Sequence, residues 1–489
     1  MNHFTNESIA AAIENLLVYG CKNLGLHTAD LNFSRNLLLE IFGLDAPPAD
    51  IVRLSVPPGG KPAYLKTQEK KTKFDAQTQI FDALTDYAIF RGLITPEERV
   101  NFETRLIGAV TPTPAQVVHT FKGDVEEFGK VYATKNLYNL SVKSNYIRMA
   151  DIKKNIQWKY KGKFGDLVVT INVAKPEKTP EQIAREAAAP PSSYPKCVLC
   201  VENEGFAGNS TRIARHTLRT VPVDLAGQHW ALQFSPYQYY KEHCIALSCE
   251  HRPMTVDKDC LNRLLDFVRQ YQHYFMGSNA ALPIVGGSIL SHDHYQGGGK
   301  HLPLFKRGGF KIVQKKFKDV KISKVRWYNS VVRVESENMK SALKAATHIL
   351  ECWKKYNDET NHIRAFTVLG EDAKIPHSTI TPIARYDKEE NSYILDLVLR
   401  NNRTTDTLPY GIFHPAEHLH HIKKEGIGII EVAGIFILPG RLKDEVESGR
   451  LDKKTISKAC EEILQTTAVF KNDAAGQKAF DKFLKLALR

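Results

Sequence analysis

The stretch Gly286-Gly-Ser-Ile-Leu-Ser-His292-Asp-His294-Tyr-Gln296-Gly-Gly-Gly299 constrains this chain more than any other. Successive side chains of an extended segment point to opposite faces, so His292, His294 and Gln296 share one face of a strand. Glycines at both ends let backbone N–H groups approach a ligand with no Cβ in the way, and successive N–H groups form an anion-binding concavity. A neutral imidazole is nucleophilic near pH 7 and can attack phosphorus, giving a phosphoramidate that a second acceptor cleaves. The pattern points to phosphate chemistry, with Gln296 placed to hold a non-bridging oxygen.

The chain has 489 residues, too many for one core, so two or three domains are expected. Its 43% hydrophobic and 25% charged residues are ordinary for a soluble globular protein. No apolar run reaches the length of a membrane span. The start, Met1 to Glu7, lacks the basic and apolar regions of a signal peptide, so a cytoplasmic protein with no membrane partner is expected. Eight cysteines are scattered, with only Cys197 and Cys200 close together, which argues against a disulfide framework. The net charge of +13 suits anionic small substrates as well as nucleic acid. Lysine runs such as Lys70 to Lys73 and Lys315 to Lys318 lie in no aromatic-interleaved RNA-binding motif, so no nucleic-acid partner is expected.

The order of patterns predicts an α+β fold. Residues 1–150 read as a helical N-terminal domain: Ile9, Ile13, Leu16 and Leu17 recur at helical spacing, and a longer helix is expected from Asp75 to Phe90. Pro96-Glu-Glu98 reads as a first helical turn. A helix between loops is expected within Lys175 to Pro195. Residues 151–325 form a first half with strands at 165–173, 230–236 and 242–248, an amphipathic helix running from Leu261 up to Phe275, and the double-histidine strand. Residues 326–489 repeat that order, with strands at 331–334, 365–369, 379–384 and 393–399, a helix through Met339 and Trp353, and a histidine cluster (His414, His418, His420, His421). An apolar stretch from Gly426 to Leu438 reads as a strand with Glu431 inside it, and a closing helix begins near Lys454. An internal duplication is expected, with mainly antiparallel sheets flanked by helices.

His292-Asp-His294-Tyr-Gln296 resembles the histidine-x-histidine-x-glutamine signature of galactose-1-phosphate uridylyltransferases, within the histidine-triad superfamily. The text around it is similar to the second, bacterial class of that enzyme: Ser235-Pro-Tyr237, Glu242-His-Cys244, Gly277-Ser-Asn279, Leu282 to Ser288 and His421-Ile-Lys-Lys-Glu425. These motifs run from about Cys197 to Leu438. Both halves are then expected to be histidine-triad-like. The resemblance implies exchange of a uridylyl group between UDP-glucose and galactose 1-phosphate through a uridylyl-histidine, with no organic cofactor. By motif position the nucleophile is His294, Gln296 contacts the transferred phosphoryl group, and His292 completes the catalytic segment.

The better-known class of the family also implies a structural zinc held by Cys197, Cys200, His251 and His292; the alternative is that the cysteines simply pack. That class has proline where this chain has Asp293, a residue expected either to brace a neighbouring ring or to face solvent. Asn203, Ser235, Tyr237, Asn279, Ser288 and Arg403 are expected at the substrate, though asparagine and serine beside turns are also plain turn chemistry. Arg385, Asn402, His418, His420 and Glu431 are further candidates for sugar, phosphate or second-metal contact. A homodimer is left open. Two other readings remain: a related nucleotidyl-histidine phosphorylase or hydrolase, and a non-catalytic nucleotide- or RNA-binding protein.

Overall fold

The computed structural model describes residues 6–47, 76–174, 194–209, 212–287, 289–369 and 373–489. The expected helix within Lys175 to Pro195, the lysine run at 70–73 and Ser288 lie wholly or mostly outside these residues. The chain folds into two compact units, Met1–Met149 with Lys178–Val221, and Ala150–Glu177 with Pro222–Arg489.

The first unit is helical, as the periodicity predicts. Helices Asn6–Tyr19, Leu31–Phe42, Ala76–Phe90 and Arg99–Gly108 pool their apolar faces in one core of Ile9, Ile13, Leu16, Leu17, Leu38, Leu84, Ala88 and Leu106. Pro96–Glu98 forms a single 3-10 turn leading into the fourth of these, and Glu98 reaches back to accept from the Thr95 N–H at 2.8 Å.

The second unit holds the strands. In chain order they are β1 (Ile156–Lys161), β2 (Asp166–Asn172), β3 (Val221–Leu225), β4 (Gln228–Phe234), β5 (Cys244–Ser248), β6 (Tyr274–Gly277), β7 (His294–Gly299), β8 (Gly309–Lys311), β9 (Lys321–Val325), β10 (Val331–Ser336), β11 (Phe366–Leu369), β12 (Ala373–Pro376), β13 (Ser378–Asp387), β14 (Ser392–Asn401) and β15 (Ile435–Pro439). Ten of them make one sheet in the order β3-β4-β5-β7-β6-β13-β14-β10-β9-β8. The expected repeat is visible in this order. In each half the third strand is followed by a helix (Lys258–Gln270, Met339–Trp353), the last strand inserts beside the third, and the fourth lies at the junction. The halves therefore share one sheet, joined where β6 pairs antiparallel with β13.

Two expectations need correction. The helix expected to reach Phe275 stops at Gln270, because Tyr274–Gly277 pairs with β7 on one side and β13 on the other. Pairing on both edges satisfies the backbone of a segment buried on every side, and this outweighs helical periodicity. The apolar run from Gly426 divides into a one-turn helix, Ile429–Val432, and β15. Glu431 ends that turn's isolation: its carboxylate accepts from the Gly428 N–H at 2.9 Å and pairs with Lys423 at 3.2 Å. β15 then runs parallel to β2, which is itself antiparallel to β1. The closing helix, Lys453–Thr466, is followed by a second, Ala474–Ala487.

Candidate functional site

β7 is clamped between β5 and β6, with Gln296 opposite Ile245 on one side and Gly277 on the other. Its odd-numbered side chains turn to the helix-covered face. Tyr295 stacks on Trp230 (centroids 4.7 Å apart, 13° between planes), and its hydroxyl accepts from Arg263 at 2.7 Å. Asp293 turns the same way. It neither braces a ring nor meets solvent: it is 1% exposed, with Arg252 and Arg263 nitrogens at 3.5 and 3.7 Å. Burial pushes its carboxyl up to about 6, against the pull of the two guanidiniums.

The even-numbered residues take the other face. His294 Nδ1–H donates to the His292 carbonyl at 2.8 Å. In the neutral ring this places the lone pair on Nε2. Burial holds His294 down at about 4, so the ring is neutral at physiological pH. His292 makes the complementary choice: its Nε2–H donates to the Ser248 carbonyl at 2.8 Å, which puts its lone pair on Nδ1. The strand's first residue and the bend just before it thus carry two imidazoles of opposite tautomer, one with its lone pair on Nε2 and one with its lone pair on Nδ1.

Two of the flanking glycines have a packing role as well. Gly297 to Gly299 lie within β7, and a Cβ at Gly298 (φ +150°) would sit 2.6 Å from the Glu242 carbonyl oxygen. At Gly286 it would sit 2.0 Å from the Ala280 carbonyl. Both allow backbone to pack on backbone.

The softer candidates are mostly engaged in holding loops. Asn203 donates from its amide to the Cys197 and Cys200 carbonyls, each at 2.8 Å. Asn279 accepts from the Ile429 N–H at 2.9 Å. Ser235 donates to the Tyr237 carbonyl at 3.1 Å and accepts from the Tyr237 N–H at 3.3 Å. Arg403 donates to the His362 carbonyl. Arg385 is bound to Asp396, Asn402 Oδ1 accepts from His377 Nδ1–H at 3.0 Å, His418 meets Glu462 at 2.8 Å, and His420 donates to the Pro415 carbonyl. The second-half histidines lie outside β14, the strand that corresponds to β7.

His243, inside the Glu242-His-Cys244 motif, was given no role by sequence reasoning. It is 3% exposed and stands just before β5, on the face of Gln296 and His294. The available signal was its spacing: it is two residues before Ile245, the residue opposite Gln296.

Among the described residues, Cys197, Cys200, His251 and His292 are a Cys/His set able to hold a metal ion. Cys197 and Cys200 bring their sulfurs to 3.5 Å, and the Leu199 N–H donates to Cys197 Sγ at 3.4 Å. Burial pushes the Cys197 thiol up to about 11. His251 and His292 meet edge to face with ring centroids 4.9 Å apart. Two thiols and two imidazoles are a zinc-type donor set, and a ligating histidine that donates its other N–H to a backbone carbonyl is the usual supporting arrangement.

A neutral, tautomer-fixed imidazole buried on the face of an antiparallel sheet has the form that a nucleophilic histidine requires. Comparison with known proteins makes the class particular. The sequence profile for the galactose-1-phosphate uridyl transferase N-terminal domain matches residues 66–253, and that for the C-terminal domain matches residues 267–461. Curated galactose-1-phosphate uridylyltransferases align over nearly the whole chain, well beyond the span of the motifs. The protein of Caldanaerobacter subterraneus subsp. tengcongensis is 40% identical, covering 99% of both chains. That of Clostridium acetobutylicum is 40% identical over 97% of this chain and 99% of its own, and that of Bacillus subtilis 38% identical over 98% and 97%. A solved structure of a DUF4931 family protein from Bacillus cereus aligns with 37% of the chain at 12% identity and a TM-score of 0.23, too low to bear on the fold. The chain belongs to the galactose-1-phosphate uridylyltransferase family.

Proposed function

We propose that this chain exchanges a uridylyl group between UDP-glucose and galactose 1-phosphate, with His294 as its carrier. In the first half-reaction His294 Nε2 attacks the α-phosphorus of UDP-glucose. An N–P bond forms, and glucose 1-phosphate leaves with the electron pair of the broken P–O bond. Galactose 1-phosphate then attacks the same phosphorus through its phosphate oxygen and releases the imidazole. The leaving group is a stabilised phosphate, so the site must chiefly hold groups in line and neutralise charge. Gln296, on the same face, is suited to hold a non-bridging oxygen.

The observation that supports this reading is the His294 hydrogen bond to the His292 carbonyl, which leaves the lone pair on Nε2 while burial keeps the ring neutral. Asn203, Ser235, Tyr237, Asn279, Ser288 and Arg403 remain proposals for substrate contact, of which Asn203, Ser235 and Asn279 are supported better as loop braces. Zinc on Cys197, Cys200, His251 and His292 is our reading of the metal. It would stabilise the two thiolates and hold the His292 loop that precedes the nucleophile. The eight cysteines, all thiols, suit a reducing cytoplasmic compartment.

The test is isotope exchange. Labelled glucose 1-phosphate enters UDP-glucose with no galactose 1-phosphate present, and His294→Ala abolishes it. Failure of the unsubstituted protein to exchange overturns the covalent scheme, and release of UMP as the main product points instead to a hydrolase.

A further inference from the structure

A chain of contacts starts at the turn before β5 and ends at Gln296. Ser235 Oγ–H donates to the Tyr237 carbonyl at 3.1 Å, and the Ser235 N–H donates to the His243 carbonyl at 2.8 Å. His243 Nδ1–H donates to that same Tyr237 carbonyl at 2.9 Å. Its ring is wedged against Tyr239 and Tyr240, with centroids 5.3 and 4.5 Å away. With the proton on Nδ1, Nε2 is a pure acceptor. It is fully buried and receives no hydrogen bond. A buried acceptor left in that state is destabilising, so a donor close by is called for. Gln296 lies opposite Ile245 across the β5–β7 pairing, so its side chain shares the face of His243, two residues before Ile245 on the approach to β5. The two ends of a carboxamide are told apart only by their partners, and an acceptor facing Gln296 selects the NH2 end.

We propose that His243 is a positioning residue: its Nε2 accepts one N–H of the Gln296 carboxamide and so aims the other N–H at the phosphoryl group that reacts with His294. The Ser235-Pro-Tyr237 and Glu242-His-Cys244 motifs then form one device, which fixes a ring that fixes an amide. A freely rotating Gln296 would present its carbonyl oxygen to an anionic phosphoryl group half of the time. This inference deepens the uridylyl-transfer reading and rests on it for its kinetic consequence, while the orientation of the amide does not.

The experiment has two arms. In the first, isotope exchange is measured for His243→Phe, which keeps a ring and deletes the acceptor, and for His243→Gln, which restores an acceptor near the position of Nε2. His243→Phe is expected to lower kcat by about 10- to 100-fold, with a smaller change in KM, and His243→Gln to recover part of it. In a Gln296→Ala background the His243→Phe substitution is expected to have no further effect. Multiplicative effects in the double variant, or an unchanged rate in His243→Phe, overturn the proposal. Tyr240→Phe, which removes the other unpaired polar atom beside the ring, is expected to leave exchange intact; a loss equal to that of His243→Phe would make the tyrosine the donor and overturn the assignment to Gln296. The second arm needs no activity. In protein labelled with 15N-glutamine, the side-chain amide signals that vanish in Gln296→Ala are expected to shift in His243→Phe and return toward their position in His243→Gln, each in folded, substrate-free protein. Absence of exchange in the unsubstituted chain removes uridylyl transfer but not the amide contact, and unmoved amide signals remove the contact whatever the activity.

Discussion

Gly298 is the residue at which backbone geometry and site meet most directly. Its φ of +150° is open to glycine and strained for any other residue, and the Cβ of an alanine there would press on the Glu242 carbonyl oxygen at 2.6 Å and Tyr240 at 3.0 Å. Since Glu242 precedes His243, the strain lands on the support of Gln296. Gly298→Ala should cost about 2–4 kcal/mol in denaturant unfolding, and should lower the exchange rate of the folded fraction. Full activity in an equally stable variant would show that the strand tolerates a side chain there. At this scale the shared face of His294 and Gln296 within β7 was legible, because period-two alternation depends on the sequence alone, whereas His292 falls in the bend before the strand. The tautomers were not, because they are set by the Ser248 and His292 carbonyls, and only the folded backbone delivers those. Nor was the inward turn of Asp293, whose partners Arg252 and Arg263 come from two other segments. The metal proposal belongs to this scale too. Purified protein should contain about one zinc per chain by the four-ligand logic, measured by atomic emission, and Cys200→Ser should lower both that content and the melting temperature. Metal-free wild-type protein with an unchanged melting temperature would leave the cysteines as packing residues.

Elements were read best where one face alone is buried. The helix Lys258–Gln270 buries Leu261, Leu264, Leu265 and Val268, the positions its periodicity singled out. The turn after it was misread, since Tyr271 to Phe275 are as apolar as the helix, and only pairing with β7 and β13 separates them from it. His273 sits in this turn, its ring 4.1 Å from that of Tyr274. Burial lowers its affinity for a proton to about 4; Glu242 pulls upward, and Lys388 and Lys300 push further down. The unfolded chain, with an ordinary histidine near 6.5, binds the proton more readily, so the group's contribution is complete above about pH 6.5 and is lost as pH falls toward 4. His273→Gln should therefore lose less stability than the wild type between pH 6.5 and 4, by about 1–2 kcal/mol after allowing for solvent screening. Chemical denaturation of both proteins at pH 7 and 4.5 measures the difference, and parallel acid loss would assign the sensitivity to other groups.

One row of residues crosses the middle of the ten-stranded sheet: Ile245, Gln296, Gly277, Ile383, Asp396 and Arg333. The duplication was legible as an order of strands and helices, but not as a single sheet, because the sequence does not show that β6 finds β13. The row also gives a physical reason for the asymmetry of the two halves. On the first half it passes through the motif glutamine; on the second it meets a carboxylate that is completely buried. Asp396 accepts from Arg333 Nε at 2.5 Å and Nη2 at 3.1 Å and is also paired with Arg385, which lies 4.4 Å over the ring of Phe305. Burial alone would raise this carboxyl, yet the two guanidiniums hold it below its ordinary value. Where the first half places the motif glutamine on this face, the second closes it with ions. Asp396→Ala leaves two buried cations with no counter-charge and should cost about 3–5 kcal/mol. Replacing Arg333, Asp396 and Arg385 together by Met, Leu and Met should cost far less, because no charge is then left unmatched. Isotope exchange per folded molecule should stay within a few-fold of wild type in the triple variant. A collapse of exchange in a stably folded triple variant would mean that the second half takes part in the chemistry rather than in carrying the first.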